Sequence, residues 1–199
     1  ASLLSLTSCY PEWKLGKTFI DSKPDISVMI LPADYVFKNN LKRDEIGDTA
    51  GLTNLDKDSL LLAKSLFLKD LSDSVFLESF YNSMISEFDK LGLKVYMDNS
   101  SDSFLFFKSP SYILNIAQLQ LEEGYHDYKD SDDFGGNTYY KAFQTNAVTF
   151  NSWLELTQLN PNTEGRKLFF VSETIADIVD GYFTENLLTG EIKYTYQVM

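Results

Sequence analysis

Residues 112–121, Tyr-Ile-Leu-Asn-Ile-Ala-Gln-Leu-Gln-Leu, decide the fold, because apolar residues alternate with others from Leu114 onward. This period of two predicts a long β-strand. It also predicts one mixed face, formed by Leu114, Ile116, Gln118 and Gln120. The acidic residues 122–138 contain Gly135-Gly136 and predict a hairpin loop. Residues 139–159 then predict an antiparallel return strand.

A strand–helix–strand order precedes this pair. Residues 26–31 are a short, branched apolar run that predicts a buried strand. After a predicted long loop at 38–58, Asp73 or Ser74 can cap a helix of about 17 residues that ends at Gly92. Its apolar face repeats at i+4 and comprises Phe76, Phe80, Met84 and Phe88. Residues 93–97 alternate and predict the next strand.

The last third of the chain predicts further strands at 167–171 and 192–198. Residues 175–183 fit both helical and alternating spacing, and we favour a short helix. The whole order predicts an α+β fold with a mixed, largely antiparallel sheet and helices packed on one face. We expect residues 1–9 to be a signal-peptide remnant, 10–25 a tether and 26–199 a single α+β domain.

Composition excludes several classes of protein. The 199 residues are 44% hydrophobic and 23% charged, as in globular proteins. The formal net charge of −12 would repel phosphate backbones, so we expect no nucleic-acid partner. One cysteine and one histidine exclude an internal disulfide and most His- and Cys-based metal sites. We therefore expect no cofactor.

The N-terminal residues Leu6-Thr7-Ser8-Cys9 resemble a bacterial lipobox, in which a signal peptide is cut before a cysteine. The resemblance implies that Cys9 is the lipidation site and can carry palmitate. It also implies a location in the bacterial cell envelope, on the periplasmic side or at the cell surface, with the lipid anchor holding the protein to the membrane. The alternative is an N-terminal strand of a cytosolic domain with Cys9 buried.

The chain thus resembles the small envelope lipoproteins of Bacteroidetes. Its element order is similar to that of periplasmic lipoproteins of the penicillin-binding-protein activator and TolB N-terminal type. The tripeptides 48–50, 58–60 and 73–75 resemble Bacteroidetes O-glycosylation acceptors. The expected function is that of a non-enzymatic lipoprotein that binds a protein or another envelope component.

A cell-surface glycan-binding lipoprotein is the alternative function, with hydrolysis as a further variant. Exposed aromatic rings can stack on sugars, and the candidate contact residues are Trp13, Tyr139, Tyr140 and Trp153. A hydrolase would need two cooperating carboxylates. Glu122 and Glu123 are adjacent, so in a strand they would point to opposite faces. No nucleophile-elbow motif accompanies His126, which we interpret as a solvated side chain.

The loop at 130–137 contains a calcium candidate formed by Asp130, Asp132 and Asp133. Oxygen ligands at such spacing suit Ca²⁺. The EF-hand pattern is not met, because Phe134 replaces an oxygen ligand and Lys141 stands where the bidentate glutamate belongs. We therefore favour a solvated turn.

Overall fold

The computed structural model describes residues 25–47, 50–97, 104–160 and 166–199, together with Lys14, Lys17, Thr18 and Asp21. Cys9 and Trp13 lie outside the described residues. The strands and helices are β1 (Ser27–Leu31), β2 (Phe37–Asn40), α1 (Asn54–Lys64), α2 (Asp73–Lys90), β3 (Lys94–Met97), β4 (Ser111–Phe134), β5 (Asn137–Asn160), β6 (Arg166–Ala176), β7 (Val179–Glu185) and β8 (Ile192–Val198).

The strands form a mixed, mostly antiparallel six-stranded sheet and a separate β7–β8 pair, which confirms the predicted α+β class. The order of the larger sheet is β3-β1-β4-β5-β6, and β2 also pairs with β4. Strand β1 runs parallel to β3 and β4, and β2 runs parallel to β4. Strands β4 and β5 are joined by Gly135 and Gly136, whose φ angles of 57° and 82° suit a tight hairpin turn.

The described chain divides into two compact units. Unit 1 comprises the described residues within Ala1–Ala33, Ser74–Ala117 and Leu154–Phe169. Unit 2 comprises those within Asp34–Asp73, Gln118–Trp153 and Phe170–Met199. The single domain expected over 26–199 stays a prediction.

In unit 1, β1 is buried on both faces. Its residues Val28, Met29 and Ile30 are all at most 4% exposed, as expected for a strand between two parallel neighbours. The helix α2 was predicted to within about two residues of its bounds, and Gly92, with φ of 75°, follows its end. The predicted caps Asp73 and Ser74 were wrong, because both lie inside the helix, which begins at Asp73. The Tyr81 hydroxyl of α2 accepts a hydrogen bond from the Ala33 N–H at 2.6 Å.

In unit 2, α1 begins with a capping box. The Asp56 N–H donates to Thr53 Oγ1 at 3.2 Å, and the Thr53 N–H donates to Asp56 Oδ2 at 3.1 Å. Each bond satisfies a backbone donor that the first turn of a helix leaves free. The cap lies inside the predicted 38–58 loop, where the structure also places β2, so that loop prediction was wrong.

A buried ion pair joins two segments of unit 2. The Lys42 ammonium donates to Glu123 Oε1 at 2.9 Å, and the two side chains are 3% and 0% exposed. The Glu123 carboxylate also accepts from the backbone N–H groups of Leu66, Phe67 and Leu68. Burial raises the pKa of the Glu123 carboxyl, but these donors together with Lys42 hold it below its ordinary value of 4.5.

Two further predictions, at 122–138 and at 175–183, were wrong. The acidic segment 122–138 is not a loop: β4 extends to Phe134, and only the glycine pair turns. Residues 175–183 are not helical, because β6 ends at Ala176 and β7 begins at Val179. Burial alternates along β7, with Val179, Gly181 and Phe183 half-buried and the residues between them exposed, so this segment follows the spacing of a strand.

The predicted mixed face of β4 was also wrong in part. Its buried apolar residues are Leu114, Ile116, Leu119 and Leu121. The interval from Ile116 to Leu119 is three residues, so the alternation shifts by one position, as at a β-bulge. Gln118 and Gln120 therefore alternate with the buried residues Leu119 and Leu121 and lie on the other face of the strand from them.

Within the part of the chain that the structure describes, none of the helices has the length and apolar character needed to cross a membrane.

Candidate functional site

A row of hydrogen-bonded polar side chains crosses the sheet of unit 2. Gln118 Nε2 donates to Gln120 Oε1 at 3.2 Å, and Gln120 Nε2 donates to Glu122 Oε1 at 2.8 Å. Residues two apart on a strand point to the same face. The three side chains of β4 are therefore neighbours on one face.

The row continues onto β5 and β6. Asn151 Nδ2 donates to Glu122 Oε2 at 3.0 Å, and the Ser172 hydroxyl donates to Asn151 Oδ1 at 2.7 Å. Glu122 thus accepts one bond at each carboxylate oxygen and lies at the centre of the row. We call these five side chains the polar row: Gln118, Gln120, Glu122, Asn151 and Ser172.

An aromatic pair lies at one end of the polar row. The rings of Trp153 and Phe170 are 5.0 Å apart between centroids and tilted by 46°. Each is two residues along its strand from Asn151 or Ser172, so both rings lie on the face of the polar row. Phe170 is 57% exposed and Trp153 is half-buried, so the pair is open to a ligand.

A cavity of about 450 Å³ adjoins the row at Glu122. Its polar lining includes Thr149 and Thr174, whose hydroxyl oxygens are 2.9 Å apart. The described residues that line it are Leu41, Glu122, Gly124, Tyr125, His126, Ala147, Thr149 and Thr174. This volume lies within the range of small-molecule sites.

The arrangement suits a ligand with many hydroxyl groups. Each carboxamide carries a second N–H beyond the one it gives to the row, and the Glu122 carboxylate has further acceptor capacity. An aromatic ring beside such groups provides a flat apolar surface. The site therefore combines directional hydrogen bonding with stacking.

The structure places the predicted contact residues apart. Trp153 lies in the site. Tyr139 and Tyr140 lie near the β4–β5 turn, about 45 Å from Trp153 along the strand at ~3.3 Å per residue. Tyr139 contacts Phe134 with ring centroids 6.2 Å apart, and Tyr140 is 77% exposed. The site therefore contains one of the three described candidates, Trp153.

The calcium candidates also lie near that turn. Asp130 Oδ1 accepts from the Ser131 N–H, and Asp132 Oδ1 accepts from the Asp133 N–H, both at 2.8 Å. Among the residues described, no three His, Cys, Asp or Glu side chains converge closely enough to hold a metal ion. The three aspartates thus do not form a metal cluster.

The adjacent carboxylates Glu122 and Glu123 point to opposite faces, as their spacing indicates. Glu122 joins the polar row, and Glu123 forms the buried ion pair with Lys42. Sequence reasoning missed Asn151 and Ser172 as members of the site. Their partnership with Glu122 depends on the register of β5 and β6, which no local pattern reveals.

Compared with protein-family models and with curated protein sequences, the chain matches none.

Proposed function

We propose that this protein is a non-enzymatic lipoprotein of the bacterial cell envelope, anchored through Cys9, that binds a protein or another envelope component. The observation that carries the proposal is the sequence Leu6-Thr7-Ser8-Cys9, with Cys9 as the single cysteine of the chain. Each buried lipid CH₂ contributes about 0.8 kcal/mol, so two or three acyl chains hold a protein firmly.

Replacing Cys9 with alanine in the full-length precursor should abolish palmitate labelling and move the protein from the membrane to the soluble fraction. The thiol sulfur of Cys9 is the proposed attachment point for lipid, through a thioether bond, and alanine lacks it. Radiolabelled palmitate and membrane fractionation measure both effects. Ser8→Ala is the matched control, because it keeps a small residue before the cysteine and should leave labelling intact.

Equal labelling and equal membrane association of the Cys9→Ala variant and the parent would refute the anchor. Mass spectrometry of the membrane-extracted protein gives an independent result. A mature N-terminus at Cys9 with added acyl mass supports the proposal, whereas an unmodified Cys9 contradicts it.

Glycan binding is the second candidate function, and it is favoured by the polar row beside Trp153 and Phe170. Protein sites for sugars need hydrogen bonds to hydroxyl groups and an aromatic face for the ring, and both lie on one face of unit 2. Hydrolysis stays a variant of this candidate. Of the polar row, Glu122 alone is a carboxylate, and glycoside hydrolysis uses a pair.

We expect an oligosaccharide identified on a glycan array to bind about tenfold less tightly to Trp153→Ala and to Gln120→Ala. Tenfold corresponds to about 1.4 kcal/mol, the scale of one stacking contact or one hydrogen bond. Isothermal titration calorimetry measures the affinities. Tyr140→Ala is the control, since it removes an exposed aromatic ring far along the strand. An array without hits, or equal losses in all three variants, would count against this function.

A further inference from the structure

Unit 1 contains an apolar groove separate from the polar row. Its volume is about 460 Å³, within the range of small-molecule sites. It is lined by Ile26, Val28, Phe88, Leu93, Tyr112, Leu114, Leu154, Leu156, Lys167 and Phe169. Nine of these ten side chains are apolar or aromatic, so the groove suits a hydrocarbon ligand.

The helix α2 leaves this groove open. None of the side chains on its apolar face is fully buried, and Phe88, at the groove, is only half-buried. Leu154 and Leu156 on β5 are also half-buried, and Phe169 on β6 is 46% exposed. Hydrocarbon placed here would remove this apolar surface from water, which is favourable through the hydrophobic effect.

Among the described residues that line the groove, Lys167 is the one with a charge. The neighbouring cations are already paired: Arg166 Nε contacts Glu155 Oε1 at 2.8 Å, and Lys94 Nζ contacts Asp25 Oδ1 at 2.6 Å. An ammonium group beside an apolar surface complements an anionic head on a hydrocarbon chain. The net charge of −12 disfavours anions over the surface as a whole, so the attraction for an anionic head group has to come from this local cation.

We propose that the groove binds a free fatty acid, with the acyl chain over Phe88, Leu156 and Phe169 and the carboxylate at Lys167. This inference is independent of the lipid anchor at Cys9 and of the polar row. It rests on the shape of the groove, its apolar lining and the position of its one cation.

Calorimetry with octanoate, decanoate and dodecanoate below their micelle concentrations tests the proposal on the full chain. Affinity should rise about fifteenfold for each two further CH₂ groups until the groove is filled. Decanol is the head-group control and should bind more weakly than decanoate. Leu156→Trp fills the groove and should abolish binding while circular dichroism shows an unchanged fold.

Lys167→Glu should weaken decanoate about tenfold and leave decanol unchanged, because it replaces attraction by repulsion at the head group. The position is exposed, so folding should be retained. Lys193→Glu is the control, since it makes the same charge change on exposed β8. Both variants change the net charge equally, so a difference in their affinity for decanoate reports the local position of the charge.

Three results would overturn the proposal. The first is the absence of binding for all three carboxylates. The second is equal affinity for decanoate and decanol, or equal effects of the two lysine variants. The third is a dimer in light scattering that Leu156→Trp dissociates and that does not bind decanoate, which would assign the groove to a second copy of the chain.

Discussion

Replacing Glu123 with alanine is expected to lower the free energy of unfolding by about 3–5 kcal/mol. The change leaves the Lys42 ammonium, 3% exposed, without its carboxylate partner at 2.9 Å. It also removes the acceptor for three backbone N–H groups at 66–68. Lys42 Nζ would keep Asn146 Oδ1 at 2.6 Å and the more distant Glu45 Oε1 at 3.9 Å, and these replace a buried carboxylate at hydrogen-bond distance only in part. Urea denaturation followed by circular dichroism measures the loss.

Glu173→Ala is the matched control, because Glu173 is exposed on β6 and its removal should change stability by less than about 0.5 kcal/mol. A loss at Glu123 no larger than this would contradict the ion pair. The pH dependence of stability, compared between the parent and Glu123→Gln, gives a second test of the ion pair. The folded-state pKa of Glu123 lies below 4.5, so its contribution is complete above that pH and is lost as pH falls further. The stability difference between parent and Glu123→Gln should therefore shrink in acid.

Replacing Phe104 with alanine is expected to cost about 3–5 kcal/mol of stability, the range for a buried phenylalanine. Phe104 is 1% exposed, and its ring centroid lies 5.4 Å from that of Tyr96 and 5.3 Å from that of Phe107. Alanine would leave a cavity between these rings, because a packed core relaxes only partly. Thermal unfolding and urea denaturation both measure the effect.

Phe106→Ala provides the control from the same short segment. Phe106 is 85% exposed, so its ring buries little surface, and we expect a change below about 0.5 kcal/mol. Equal effects at 104 and 106 would contradict the packing of this turn. A selective loss at 104 would support it and would explain why one apolar run contains both core and surface residues.

Sequence reasoning succeeded where one local pattern determines an element. The i+4 series from Phe76 to Phe88 fixed α2, and the alternation at 192–198 fixed β8. It was wrong at 175–183, where the spacing fits two periods and the antiparallel pairing of β7 with β8, a distant segment, determines the strand. The acidic half of β4 was missed because its pairing with β5, rather than burial, maintains the strand.

The residues of the candidate site could be predicted from the sequence only in part, for a similar reason. Trp153 and the polar series at Gln118 and Gln120 stand out in the sequence, since amides interrupt an apolar strand. The hydrogen bonds that join them to Asn151 and Ser172 require the correct register of β4 with β5 and of β5 with β6. Register depends on contacts between distant residues, and a single sequence contains no direct measure of them.

The parallel pairing of β1 has a consequence for the order in which the chain can fold. The hairpin of β4 and β5 closes through two glycines, so its loop-closure entropy is small. Ser27, by contrast, pairs with Ser111, more than eighty residues later. During synthesis β1 is made before both partner strands, β3 and β4, so it cannot pair until they follow. Its apolar side chains stay exposed to solvent over that time. Such a strand is prone to aggregate until the contact forms, so the slow, high-contact-order step of folding should be the capture of β1.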